Sequence, residues 1–110
     1  MKTFNDLKIG DKIYFVDFNT DKEVNSAYAA EVISLKRISE ETIKITCRHQ
    51  TNKIEEYSVY GCLVSSDWMG DTKFFASKDI AISNIKCLVE RAKEDLYETH
   101  KLLVKVKELK

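Results

Sequence analysis

Thr42-Ile43-Lys44-Ile45-Thr46-Cys47-Arg48-His49 alternates apolar and polar residues without a break. Ile43, Ile45 and Cys47 fall on one side of an extended chain and Lys44, Thr46 and Arg48 on the other, the period of a half-buried strand. His49 continues the row of Cys47. A strand of this kind needs hydrogen-bonded neighbours and a core beneath its apolar row. On the C-terminal side Gln50-Thr51-Asn52-Lys53 has hairpin-loop composition. Ile54 to Tyr60 then follows as a strand, with Tyr57 and Val59 on one face and Ile54, Ser58 and Tyr60 on the other, and Gly61 ends it. On the N-terminal side Ser39-Glu40-Glu41 makes the break, preceded by a longer strand from Ala27 to Ile38. Its apolar parity changes between Val32 and Ile33, as at a β-bulge where a strand crosses between two halves of a barrel. Upstream of the polar break Asn19 to Glu23, the Gly-Asp turn in Lys8-Ile9-Gly10-Asp11-Lys12 leads into Ile13-Tyr14-Phe15-Val16-Asp17-Phe18. That strand is apolar on both faces and is expected to be covered on both. Lys73-Phe74-Phe75-Ala76 supplies a short fifth strand.

Strands at roughly ten-residue spacing joined by short turns predict a small meander sheet or barrel. The opening Leu7-Lys8-Ile9-Gly10-Asp11-Lys12-Ile13-Tyr14, the bent Ala30-Glu31-Val32-Ile33-Ser34-Leu35 strand and Thr42-Ile43-Lys44-Ile45-Thr46 together resemble SH3-like β-barrels over residues 4 to 76. The resemblance implies a module that binds peptides, partner proteins or nucleic acid rather than one that catalyses. It brings no regularly placed aromatics of a proline-peptide site. Phe74-Phe75-Ala76-Ser77-Lys78-Asp79 is similar to the strand-to-helix junction of small bacterial and phage proteins, a likeness that identifies no activity; the expected role is that of an accessory or inhibitory protein of a bacterium or its phage.

From Ser77 the period changes. Ser77 is a good N-cap, Asp79 puts negative charge in the first turn, and no Gly or Pro interrupts the chain as far as Lys110. These features predict an α+β fold: an antiparallel SH3-like barrel over 1–76 and one long C-terminal helix over 77–110, in the same structural unit. Ile85, Val89, Ala92, Leu96, Thr99, Leu103 and Val106 repeat at steps of four and three, a heptad seam with Thr99 as its weak point. A straight helix from Lys78 to Glu108 would run about 46 Å, against a barrel diameter of roughly 30 Å. The projecting end holds Leu102, Leu103, Val104, Val106 and Leu109, and burying each such side chain is worth about 1.5 to 3 kcal/mol. The expected cover is a second copy, giving a homodimer with Ile85, Val89, Ala92, Leu96, Leu103 and Val106 as its coiled-coil seam. The bland alternative is a helix that breaks near Thr99 and folds back.

The 110 residues carry 18 basic and 18 acidic side chains, so the formal net charge is zero. Strong nonspecific attraction to nucleic acid or acidic lipid needs surplus Lys and Arg, and is not expected. No apolar run approaches the ~20 residues of a membrane span and the opening Met1-Lys2-Thr3-Phe4-Asn5-Asp6 has no apolar signal core, which predicts a cytoplasmic protein. Cys47, Cys62 and Cys87 are odd in number and widely spaced, unlike a disulfide framework. Cys47 reads as a small buried hydrophobe. Cys47-x-His49 with Cys62 as a third ligand falls short of a zinc set, so no metal or cofactor is expected. With no Gly-rich phosphate loop and no Ser nucleophile motif, an enzyme is not expected and no catalytic residue is assigned. Glu40-Glu41 and Glu55-Glu56 adjoin turns and are read as solvated, and the strand aromatics as core packing. The loop Ser65 to Asp71 presents Trp68 and Met69 as a candidate binding surface, against the alternative that Trp68 folds back to cap the barrel. The expected function is a non-enzymatic protein-interaction module. The alternative is a nucleic-acid-associated barrel using the basic helix end, Lys101, Lys105, Lys107 and Lys110.

Overall fold

The computed structural model describes residues 2–17, 27–61, 63–70, 72–91 and 96–109, with side chains at 2–17, 27–61, 63–70, 72–87 and 101–109. Among these, six strands form one antiparallel sheet: β1 Lys12–Asp17, β2 Ala27–Arg37, β3 Thr42–Arg48, β4 Ile54–Tyr60, β5 Ser66–Met69 and β6 Thr72–Phe75. Their spatial order is β4-β3-β2-β1-β6-β5, so β1 to β4 make a meander and the last hairpin returns to the far side of β1. The sheet curls into a nearly closed barrel.

The curl has an identifiable cause in β2. The β2–β3 register shifts between Val32 and Ser34, at the point where the sequence parity changes. A bulge there bends β2 and raises its twist, letting one strand serve both halves of the barrel. The Gly61 N–H donates to the Glu41 carbonyl (2.6 Å), one more rung of the β3–β4 ladder, and the Phe4 N–H donates to the Val64 carbonyl (3.0 Å), which ties the N-terminal segment to the β4–β5 connection. Phe4 opens a single 3-10 turn, Phe4–Asp6, and its fully buried ring lies 5.4 Å from Phe74. The Gly10-Asp11 turn is built as expected. Gly10 adopts φ +98°, a conformation glycine tolerates without strain, and its N–H donates to the Val32 carbonyl at 2.8 Å.

β1 separates two cores. Ile13 and Phe15 point into the barrel with Val32, Ile45, Cys47 and Val59. Val16 points outward, with Ala27 and Phe75, into a second cluster roofed by helices. Both faces of the strand are covered, as its double-sided apolar sequence predicts.

The roof corrects the sequence reading. The C-terminal region is two helices, α1 Lys78–Arg91 and α2 Leu96–Glu108, rather than one long rod. The Lys78 ammonium, at the start of α1, donates to the Leu109 carbonyl just past the end of α2, so the pair runs antiparallel. Leu102, Leu103 and Val106 pack with Ala81 and Ile85 of α1 on the outer sheet face. A single helix of about 46 Å would exceed the longest dimension of the molecule, 42 Å. The length argument assumed that the apolar tip had no cover within the chain. It missed that the outer faces of β1, β2 and β6 also needed one, and folding the tip back satisfies both demands. Ser77 does cap α1, its Oγ accepting from the Ile80 N–H at 3.3 Å. No helix among the described residues is long and apolar enough to cross a membrane.

A second correction concerns Ser65 to Asp71. Ser66–Met69 is a strand paired with β6, Trp68 opposite Lys73. Four residues of mixed polarity were too short a run for alternation to show.

Candidate functional site

The richest side-chain chemistry lies at one mouth of the barrel, where β1 ends, β2 begins and the β3–β4 hairpin turns. Asn52 takes φ +65°, a left-handed conformation that Asn tolerates, and its N–H donates to the His49 carbonyl at 2.9 Å. The His49 N–H in turn donates to the Lys53 carbonyl at 2.8 Å, which fixes the loop. Strand parity sends Phe15, Tyr28 and Tyr57 inward, and His49 extends the same row one residue beyond β3. Phe15 and Tyr28 stack at 4.9 Å with 7° between their planes. The His49 ring lies 5.6 Å from Phe15, 5.8 Å from Tyr28 and 6.2 Å from Tyr57.

Three of these groups join in a hydrogen-bonded chain. The Tyr57 hydroxyl donates to Glu55 Oε2 at 2.6 Å, and His49 Nε2 lies 2.8 Å from the same hydroxyl. Since the phenol proton is committed to the carboxylate, the phenol oxygen accepts and His49 Nε2 carries the hydrogen. Burial, followed by the bond to Glu55, pushes the Tyr57 hydroxyl pKa well above its ordinary range, so the proton stays on the phenol. The bonds donated by Lys53 and then Tyr57 hold the Glu55 carboxyl below the usual carboxylate range. Lys53 Nζ is 2.7 Å from Glu55 Oε1, so both carboxylate oxygens are engaged. His49 Nδ1 has no hydrogen-bond partner among the described residues, although the side chain is only 13% exposed. The His49 side chain lines a cleft of about 290 Å³ together with Tyr28, Ala29, Gln50, Thr51, Lys53 and Glu55. The arrangement offers an imidazole lone pair, held in one tautomer by a phenol and a carboxylate, to whatever occupies the cleft.

Sequence reasoning placed Tyr57 and the row ending in His49 correctly but read Glu55 as solvated. Glu55 has the parity of Tyr57 and Val59, the signal that ties it to the barrel mouth, whereas Glu56 faces outward and pairs with Lys44 at 3.3 Å. Cys47 is fully buried, and burial pushes its thiol pKa up to about 12, so the thiol holds its proton at neutral pH. Cys87 is exposed, Cys47 and Cys87 are free thiols, and Cys62 lies outside the described residues. Among the described residues no three His, Cys, Asp or Glu side chains gather as a metal set.

Trp68 and Met69 lie on β5, one of the two edge strands, and as successive strand residues point to opposite faces. Trp68 shares the outer face with Lys73, whose ammonium lies 5.3 Å from the indole centroid and 5.5 Å from that of Phe75. It does not cap the barrel interior: it is 54% exposed, at the margin of the helix-covered face. Of the coiled-coil seam residues, Ile85, Leu103 and Val106 are buried inside the chain's own second core. The side chains of Val89 and Leu96, and all of Ala92, lie outside the described residues. Lys101, Lys105 and Lys107 are exposed on α2, and Lys110 lies outside the described residues. Comparison with protein-family models, with curated proteins and with solved structures gives no match.

Proposed function

We propose that the chain is a non-enzymatic protein-interaction module built on an SH3-like barrel, and that its partner binds along the β5 edge. The observation that carries this reading is Trp68: a 54% exposed indole, with a lysine over its ring, on a strand whose outer edge has no neighbouring strand among the described residues. An open edge offers backbone N–H and C=O groups to an added strand, and tryptophan is the residue type most enriched at interface hot spots. Leu63 and Val64, which lead into β5, are also exposed and lengthen the apolar margin. The strand order β4-β3-β2-β1-β6, a meander closed by the last strand against the first, supports the SH3-like assignment. An accessory or inhibitory role in a bacterium or its phage fits a module of this size.

The test compares wild type with Trp68→Ala as immobilised baits in a bacterial lysate. A discrete, stoichiometric protein retained by wild type and lost by the variant, with melting temperatures within about 2 °C, supports the proposal, since exposed-site truncations usually cost under about 0.5 kcal/mol. Equal retention by both baits, or none by either, refutes it.

The nucleic-acid reading keeps one supporting observation, the three exposed lysines of α2. Salt decides it. Anisotropy of labelled single-stranded DNA persisting above about 200 mM salt would favour this reading over the first, because nonspecific phosphate contacts weaken steeply there.

A further inference from the structure

We infer that the cleft at the barrel mouth binds a small, uncharged, planar heterocycle that presents a ring N–H to His49 Nδ1. The inference goes beyond the proposed interaction at β5 and involves none of its residues.

The polarity of the site is fixed by the hydrogen-bonded chain. Tyr57 gives its proton to Glu55 and accepts from His49 Nε2, which leaves Nδ1 as a lone pair and never a donor while the imidazole is neutral. Nδ1 is part-buried and has no protein partner among the described residues, so the group that best completes the site is a donor. The Tyr28 hydroxyl, also without a hydrogen-bond partner among the described residues, adds a second polar contact on the same cleft.

The charge of the lining selects a neutral occupant. Among the described residues, Lys53 and Glu55 are the formally charged members of the lining, they are paired at 2.7 Å, and both Glu55 oxygens are already engaged. A charged ligand would have to break that pair to find its own. Shape selects a flat one. Tyr28 forms a wall whose ring is held by stacking on Phe15. A volume of about 290 Å³ is at the lower end for ligand pockets, enough for one or two fused rings. Gln50 and Thr51 of the lining supply donors for an acceptor on the far edge of such a ring.

The experiment titrates the ¹⁵N-labelled full chain with benzimidazole and indole and with their N-methyl counterparts, which keep ring and shape but lack the N–H. The expected result is saturable shifts at Tyr28, His49 and Gln50, with dissociation constants in about the millimolar range for ligands this small. N-methylation should weaken binding about fivefold, the loss of one hydrogen bond. The side-chain Nδ1 resonance of His49 should move with the parent ligands, and His49→Phe should abolish their preference over the methylated forms. Absence of saturable shifts up to about 10 mM ligand, equal affinity for the methylated forms, or shifts centred on Trp68 and β5 would each overturn the inference. Should His49→Phe not fold, the comparison of parent and methylated ligands on wild type decides alone.

Discussion

Replacing Ile85 by alanine separates a helix roof that closes on its own barrel from a seam that closes on another chain. Ile85 is fully buried among Ala81, Leu102, Leu103 and the outer face of the sheet. The change removes three carbons. Transfer alone accounts for about 2.4 kcal/mol at ~0.8 per methylene, and the cavity left between two helices and a sheet brings the total to about 3 to 4 kcal/mol. For 110 residues the unfolding entropy is about 230 cal/mol/K, so each kcal/mol lowers the midpoint by about 4 °C. The expected fall is therefore about 12 to 16 °C, read by far-ultraviolet circular dichroism. Because every partner of Ile85 named here lies in the same chain, wild-type and variant midpoints should not change between about 5 and 100 µM protein. A variant melting within about 2 °C of wild type, or a wild-type midpoint that climbs several degrees with concentration, would refute the folded-back roof and restore the intermolecular seam.

Two further predictions concern pH. Cys47, Tyr28 and Tyr57 have folded-state pKa values raised by burial, Cys47 from 9.0 to about 12, so the folded state holds their protons more tightly than the unfolded chain does. The stability they contribute is complete below pH 9.0, the ordinary value for the thiol, and is lost as pH rises towards the folded values. Urea midpoints should fall above that point, less steeply for Cys47→Val, and a native thiol titration at pH 8 should consume Cys87 but spare Cys47. Rapid modification of Cys47 in the folded protein would contradict its burial. On the acid side, Glu55 has a lowered folded pKa, so its contribution is present above the ordinary 4.5 and disappears as pH drops through the folded value. Glu55→Gln should flatten the loss of stability between pH 6 and pH 3, and a slope equal to wild type would show that the carboxylate is not held by Tyr57 and Lys53.

Much of the barrel was legible because alternation has a period of two and leaves little freedom once one face is buried. Ile43, Ile45 and Cys47, the inward Tyr57 and Val59, and the parity change at Val32 each correspond to an observed inward row or to the bulge. The helix break was legible only as the alternative, and at Thr99, which lies inside α2, for a related reason. A stripe at steps of three and four reads the same whether the chain continues or reverses, and Ile85 and Val106 belong to one stripe in either geometry. What distinguishes them is an uncovered sheet face, which is a property of β1, β2 and β6 and not of the helical sequence. The barrel-mouth site was half legible. His49 and Tyr57 were on the inward rows, but the partnership with Glu55 depends on the β3–β4 register, Cys47 opposite Glu55, which brings residues eight apart within hydrogen-bonding distance.

The two proposed surfaces follow from where the sheet's own satisfaction runs out. Along the middle of β1 nothing is left to offer: its inner residues fill the barrel, its outer residues meet the helices, and both edges are paired with β2 and β6. Among the described residues, pairing stops at β5, one of the two sheet edges, where Trp68 is exposed, and packing stops at the mouth, where His49 keeps an unpartnered nitrogen above a filled aromatic core. The two differ in kind. An open strand edge provides repeated backbone groups and is suited to an extended polypeptide, while a cleft with one fixed lone pair is suited to a single small group. Ring shifts at His49 on adding benzimidazole should therefore leave β5 unchanged, and Trp68→Ala should leave heterocycle affinity intact. If either perturbation crossed to the other surface, the covered middle of β1 would have to transmit it, and the separation argued from burial would be wrong.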